Sequence, residues 1–314
     1  MFKFLITGAA GFIGSNLSIS LLQKGYQVTG IDNMSSYYTL SLKNLNKSDI
    51  ITLGCDFNEM DLCKDKFDEL DNDFDFIIHL AAQPGISADI EFKDYADNNI
   101  NATANILDFA RKNKNLKLFI YGSTSSVYGK FASSDEKSIP FPASDYGLTK
   151  LAAEQMVMMY GREYLLPVSS LRLFSVFGER ERPDKLFPRL FASYFNDEPI
   201  SIYKSSFEHK RSFTYVGDII NAINLVVGEC DVCKNEIFNI GSTSSVKVKD
   251  ALEVFERVTG KKIKYNIQSD RPGDQLNTKA NIEKAKSVFG FKHKFSLEEG
   301  LRKTFVWHKN MRGG

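Results

Sequence analysis

Cysteine is scarce in this chain. The four present, Cys55, Cys63, Cys230 and Cys233, point to no disulfide framework in 314 residues and read as ordinary reduced thiols. Cys230-Asp231-Val232-Cys233 is a lone C-x-x-C. Zinc needs two further ligands, and no second such pair exists; a redox role needs a thioredoxin-like context that is missing. Histidine is equally rare. His79, His209, His293 and His308 have no metal-ligand spacing, and His79, closing an apolar run, reads as a packed, hydrogen-bonded residue. No metal is expected. Neither sign of charge dominates: 40 basic against 39 acidic residues leave +1. No nucleic-acid partner and no membrane surface is therefore expected. No apolar run is long enough to cross a bilayer. Met1 to Leu22 lacks a strongly basic start, and its glycines belong to a turn, so it does not read as a signal peptide. The expected location is cytoplasmic, where the sequons Asn46-Lys47-Ser48 and Asn101-Ala102-Thr103 are incidental.

What is present suits an enzyme. A chain of 314 residues, 43% hydrophobic and 25% charged, supports a sizeable core and one or two domains. Apolar runs read as strands at Phe2 to Ile6, Gln27 to Ile31, Ile50 to Leu53, Phe74 to His79, Leu116 to Tyr121, Pro167 to Phe174 and Glu236 to Ile240. Helices are predicted between them, at Asn16 to Lys24, Asn98 to Lys112 and Tyr146 to Tyr164. Such alternation predicts an α/β fold, a Rossmann-type doubly wound parallel sheet covered on both faces. Ligands then meet the carboxyl ends of the strands. After Gly178 the pattern becomes irregular, with Pro183, Pro188 and Pro199. Residues 1–174 plus 213–240 are expected to form the nucleotide-binding domain, and 175–212 plus 241–314 a smaller C-terminal substrate-binding domain.

Gly8-Ala9-Ala10-Gly11-Phe12-Ile13-Gly14 follows the first strand and precedes a helix. Glycines there permit a tight turn and bring a pyrophosphate to the helix N-terminus. The second strand ends in Asp32, about 20 residues on, where an acid accepts from an adenosine ribose and repels a 2′-phosphate. NAD is favoured over NADP. The bland alternative is a glycine turn needed only for helix–sheet packing.

Tyr146-Gly147-Leu148-Thr149-Lys150 places a phenol and an ammonium on one helix face. A neighbouring ammonium favours the phenolate and lowers the tyrosine pKa. Tyr146 then suits a general base for an alcohol, with Thr124 relaying the proton. Alone the spacing is weak, and an ordinary helix surface explains it as well; beside the glycine turn it gains weight.

These motifs, with Thr7, His79-Leu80-Ala81-Ala82-Gln83, Leu171-Arg172-Leu173-Phe174, Arg211-Ser212-Phe213-Thr214-Tyr215, Phe238-Asn239-Ile240-Gly241 and Arg271-Pro272-Gly273-Asp274, run nearly end to end. Through them the chain resembles the extended short-chain dehydrogenase/reductases, specifically the nucleotide-sugar epimerase group. Gly30-Ile31-Asp32-Asn33 leading into Tyr37-Tyr38 and Ser41-Leu42-Lys43, Thr124 to Gly129, and Phe177-Gly178 leading into Arg182-Pro183-Asp184 are most similar to bacterial and plant UDP-glucuronate 4-epimerases.

The resemblance implies roles. Gly8, Gly11, Phe12, Ile13 and Gly14 would hold the NAD pyrophosphate; Asp32 and Asn33 the adenosine ribose; Asp56 and Phe57 the adenine. Leu80, Ala81, Ala82, Gln83 and Asn99 would line the cofactor path, with Phe174 near the nicotinamide. Lys150 would hold the nicotinamide ribose. Arg211 and Arg271 would clamp the diphosphate of a UDP-sugar, a task suited to forked guanidinium donors. Tyr203 would line the uridine pocket or simply pack in the core. A homodimer through the helices 98–112 and 146–164 is implied, as is a place in nucleotide-sugar metabolism for polysaccharide biosynthesis.

The reaction subtype turns on the residues after Thr124. Decarboxylases and dehydratases of the group carry acids there; this chain has Ser125 and Ser126. A hydroxyl does not replace a carboxylate as acid or base, so simple C4 epimerisation is expected. Thr124, Ser125 and Ser126, with Arg182, would then bind a substrate carboxylate. The resemblance departs at Gln83-Pro84-Gly85-Ile86-Ser87, at Ser175 beside the sugar, and at Arg211-Ser212-Phe213, which lacks the usual acid. A 4-epimerase of a UDP-N-acetylhexosamine or its uronate, a decarboxylase or dehydratase, and a non-catalytic NAD-binding module remain alternatives.

Overall fold

A computed structural model describes residues 1–68, 70–85, 90–269 and 275–313. Seven strands form one sheet: β1 (Lys3–Thr7), β2 (Gln27–Asp32), β3 (Asp56–Glu59), β4 (Phe76–His79), β5 (Leu118–Thr124), β6 (Val168–Leu173) and β7 (Glu236–Ile240), in the order β7-β6-β5-β4-β1-β2-β3. All neighbours are parallel. The chain runs outward from β1 to β3 and then returns to the other side of β1. That reversal opens a crevice at the carboxyl ends of β1 and β4.

The central strands are apolar at consecutive positions because helices cover both faces. Side chains alternate across the sheet. Phe4, Ile6, Phe76, Ile78, Leu118 and Ile120 pack on one side with Leu17 and Leu21 of α1 (Phe12–Gln23). Leu5, Ile77, Phe119 and Tyr121 pack on the other. There they meet Ile106 and Leu107 of α3 (Ala102–Arg111) and Ala153 and Val157 of α4 (Asp145–Tyr164), with α2 (Leu40–Thr52) lying between β2 and β3 in sequence.

Three expected boundaries differ. Ile50 to Leu53 is the end of α2, not a strand: Ile50 points inward while Ile51 and Leu53 are exposed, a helical rather than a pleated arrangement. α1 starts at Phe12, directly after the glycine turn, and not at Asn16. The predicted helix 98–112 is a π-helical turn, Ala96–Asn101, running into α3.

Beyond β6 the strands outside the main sheet are short. Val176–Phe177 pairs with Thr214–Tyr215, Ile200–Tyr203 pairs with Tyr265–Gln268, and Lys210–Arg211 lies between Val246–Lys247 and Asn277–Thr278. Aromatic contacts hold this part together, as in Phe177–Phe187 and Phe187–Phe213, each with ring centroids 5.0 Å apart. Among the described residues no helix is long and apolar enough to cross a membrane.

Candidate active site

A cleft of about 570 Å³ opens over the carboxyl edge of the sheet and extends toward the short-strand region. Gly8, Gly11, Phe12, Ile13 and Gly14 line it. Gly8 has φ of 71°, and a Cβ there would stand 2.8 Å from Ala81 N. A Cβ on Gly14 would stand 2.1 Å from Gly8 O. The turn therefore closes only with glycine at both positions. It leaves a backbone cradle at the start of α1, where a helix favours a diphosphate.

Asp32 ends β2 and is buried on the same wall. Its Oδ2 accepts from Ala10 N at 3.1 Å, and its Oδ1 from Met34 N at 2.9 Å and Lys43 Nζ at 3.0 Å. Asn33 also lines the cleft, and its Oδ1 accepts from Ser35 N. Asp56 and Phe57 do not line it. Asp56 is exposed at the start of β3, the wrong end of the strand, and Phe57 packs beside Gly30. Met60, Asp61 and Leu62, just past the carboxyl end of β3, stand in the wall instead.

Leu80, Ala81, Ala82 and Gln83 follow β4 and line the cleft. Leu80 N and Ala81 N both donate to Thr7 Oγ1 at 3.2 Å. His79 lies behind them, fully buried between Thr7 Oγ1 at 2.7 Å and Thr103 Oγ1 at 3.0 Å. Burial first, then the charge of Lys150, pushes its pKa down to about 3, so the ring is neutral. Asn99 is not in the wall. The wide π turn points it at the back of the loop, where Gln83 N donates to Asn99 Oδ1 at 2.8 Å and Asn99 Nδ2 donates to Thr149 Oγ1 at 2.9 Å. Phe174 is also displaced: its ring is fully buried beside Tyr128, while its neighbours Leu173 and Ser175 face the cleft. Ser175 does so with φ of 30°, a left-handed conformation strained for a residue with a Cβ.

Thr124, Tyr146 and Lys150 all line the cleft. Burial raises the Tyr146 pKa, against the lowering effects of the Thr124 hydroxyl and of the Arg182 charge. The expected depression by Lys150 is thus not delivered by the chain alone. The Lys150 ammonium instead lies 4.1 Å from the centroid of the Tyr121 ring, and burial pushes its own pKa down to about 7. Glu154, one turn further along α4, opposes that shift. Its carboxylate is held by Arg172 Nη2 at 2.7 Å and Ser170 Oγ at 3.0 Å.

Ser125 and Ser126 continue the wall from Thr124. Ser126 N donates to Thr124 Oγ1 at 3.2 Å, and Gln275 Nε2 donates to the Ser125 carbonyl at 3.2 Å. Ser175, Arg182, Tyr203 and Arg211 line the same cleft. Arg182 Nε and Nη2 engage Asp184 at 3.1 and 2.9 Å, and its buried Nη1 has no hydrogen-bond partner among the described residues. Arg271 and the stretch Ile86-Ser87 lie outside the described residues.

The sequence reading missed several wall residues: Met60, Asp61, Leu62, Lys43, Tyr38, Glu181 and Gln275. Lys43 and Tyr38 lie in the segments Ser41-Leu42-Lys43 and Tyr37-Tyr38, where no charge pattern or spacing marks them. Glu181 offered no signal at all. Its Oε2 has no hydrogen-bond partner among the described residues, and burial pushes its pKa up to about 8.

The family model of NAD dependent epimerases/dehydratases matches residues 4–241. The chain belongs to the NAD dependent epimerase/dehydratase family. UDP-glucuronate 4-epimerase 1 of Arabidopsis thaliana is 32% identical, over 98% of this chain and 77% of that protein. Protein CapI of Staphylococcus aureus is 33% identical, over 98% of each chain. The crystal structure of UDP-glucuronic acid 4-epimerase from Bacillus cereus in complex with UDP-glucuronic acid and NAD superposes with a TM-score of 0.93 at 33% identity, covering 98% of this chain and 99% of that one. Family membership agrees with the expected α/β architecture, seen here as the seven-stranded parallel sheet.

Proposed function

We propose that this protein is an NAD-dependent UDP-glucuronate 4-epimerase. The observation that carries the reading is that Thr124, Ser125, Ser126, Tyr146 and Arg182 line one cleft, a phenol together with three hydroxyls and one cation. The likeness to the Bacillus cereus enzyme over nearly the whole chain supports it.

The Gly8–Gly14 cradle fits the diphosphate of NAD, Asp32 its adenosine ribose, and Asp61 with Leu62 its adenine edge. Bound NAD supplies a reversible hydride acceptor for C4 of the sugar and, through its cationic ring, the positive charge that Tyr146 needs to ionise. Tyr146 takes the proton of the C4 hydroxyl, with Thr124 sharing it. Lys150 holds the nicotinamide ribose. Ser125, Ser126 and Ser175 donate to the substrate carboxylate, and Arg182 Nη1 adds a charge-assisted bond. Arg211, with Arg271, clamps the diphosphate, while Tyr203 borders the uridine. That grip lets the 4-keto sugar turn within the cleft before the same tyrosine returns the proton. Neither Ser125 nor Ser126 supplies an acid for elimination. Residues 1–174 with 213–240 carry the cofactor, and the remainder carries the sugar nucleotide.

The enzyme works as a homodimer in the cytoplasm. α3 and α4 form the shared face, where Leu148 and Tyr164 are exposed and Leu151, Met156 and Met159 half-buried. The deciding experiment is incubation of purified protein with UDP-glucuronate, UDP-glucose and UDP-N-acetylglucosamine, products being read by NMR. UDP-galacturonate from the first is expected. Turnover of a neutral or N-acetylated sugar in preference to it overturns the substrate reading.

A further inference from the structure

Asp32 and Lys43 form a buried ion pair in the cleft wall. The two side chains are 5% and 7% exposed, and Nζ lies 3.0 Å from Oδ1. Asp32 comes from the end of β2 and Lys43 from the first turn of α2. Each carboxylate oxygen has room for about two donors. Oδ1 is filled by Met34 N and Lys43; among the described residues Oδ2 holds only Ala10 N. One acceptor site remains. Lys43 has three N–H groups, and the bond to Asp32 uses one. Its ammonium lies 5.5 Å from the ring centroid of Tyr38, a phenol kept neutral by burial and by the Asp32 charge. The pair thus presents one acceptor and a cationic donor side by side, both facing the cleft.

We propose that Lys43 is a cofactor-specificity residue: Asp32 accepts from one hydroxyl of the adenosine ribose, Lys43 donates to the other, and Asp32 rejects a 2′-phosphate largely by holding Lys43 to itself. The inference rests on the NAD reading above. An acid at this position repels phosphate. Here a strongly hydrated ammonium, itself a phosphate partner, stands within hydrogen-bond distance of that acid. Removing the acid releases the ammonium to pair with phosphate.

The test is calorimetric binding of NAD and NADP to cofactor-free protein. Unmodified protein is expected to prefer NAD. Asp32→Ser is expected to bind NADP about tenfold or more tightly than the unmodified protein does, the scale of one charge-assisted bond. Asp32→Ser combined with Lys43→Met is expected to lose that gain, and Lys43→Met alone to weaken NAD binding without improving NADP. Asp32→Asn, which keeps the side-chain shape and one acceptor, is run in the same pairings in case Asp32→Ser fails to fold. Equal NADP affinity with and without Lys43 in the Asp32 variants overturns the proposal, as does unchanged NAD affinity in Lys43→Met. If Lys43→Met and the Asp32 variants behave as expected while UDP-glucuronate is not turned over, the substrate reading fails alone. Unmodified protein that binds neither dinucleotide overturns the NAD reading and this inference together.

Discussion

The Tyr146 phenol, in the first turn of α4, and the Thr124 hydroxyl, at the last residue of β5, face the same cleft, and Thr124 lowers the phenol's pKa against the effect of burial. Two distant segments of chain are therefore registered at the atom where a proton must move. Tyr146→Phe removes the acceptor and keeps the ring. It is expected to lower kcat for UDP-glucuronate epimerisation by about 10²- to 10⁴-fold, the usual worth of a positioned acid–base group. The melting temperature should be nearly unchanged. Thr124→Val is expected to fall between the two. Near-normal turnover in Tyr146→Phe means that the base lies elsewhere.

The parts of this site that were legible in the sequence are those with local chemical causes. Gly8 and Gly14 announce a turn because no Cβ fits there. Tyr146 and Lys150 share a helix face by spacing alone. What was illegible depends on the third dimension. Asp56 and Asp61 are both acids near the end of a short strand, and only the register of β3 on β2, Asp32 opposite Glu59, places Asp61 and not Asp56 at the cleft. Phe174 is buried while Leu173 and Ser175 on either side of it line the cleft, because in extended backbone one residue reverses the direction of the side chain. Ile50 to Leu53 has the composition of a strand, but packing of Ile50 into the core keeps it in α2. Asn99 acts from behind the loop because a π turn rotates it there.

Glu181 gives a pH-dependent stability. Its carboxyl is buried in the cleft wall, which pushes its pKa from the ordinary 4.5 up to about 8. Burial is the main cause, moderated by Lys185 and Arg182. The sign follows from linkage: the folded state binds more protons than the unfolded one between these two values, so stability falls as pH rises through that window. Glu181→Gln carries no such penalty. The two proteins are expected to be about equally stable near the lower limit. The variant should become more stable as pH rises toward 8, by about 1.4 kcal/mol or less for each pH unit. Urea unfolding at a series of pH values measures this. A constant difference across the range means that Glu181 ionises like a solvated carboxylate.

The proposed dimer is tested through α4. Leu148 and Tyr164 are each about half exposed, and Tyr164 is stacked under the Arg111 guanidinium 3.8 Å from its ring centroid. Light scattering of the purified protein at micromolar concentration is expected to give twice the mass of one chain. Met156→Glu together with Met159→Glu should shift it to the monomer by placing charges in a dry interface. A monomer for the unmodified protein refutes the dimer.

The mechanism is tested most directly by following the atom at C4. Tyr146 and Thr124 handle only the hydroxyl proton, which exchanges with water. The hydrogen bonded to carbon does not pass through any side chain of the cleft. If the sugar is oxidised, turned and reduced without leaving, a deuterium placed at C4 of UDP-glucuronate returns to C4 of the product. It is expected to be retained in ordinary water and in the presence of added unlabelled NADH, because the cofactor is regenerated within each turnover. Since Ser125 and Ser126 are hydroxyls, the product mass should equal the substrate mass. Loss of the label means that the intermediate or the reduced cofactor escapes. A product lighter by carbon dioxide means that the keto acid decomposes faster than it turns, and one lighter by water means that a group outside Thr124 to Ser126 acts as the eliminating acid. Either mass change makes the protein a decarboxylase or dehydratase of its family, and retention of label at unchanged mass leaves epimerisation as the reaction that this cleft performs.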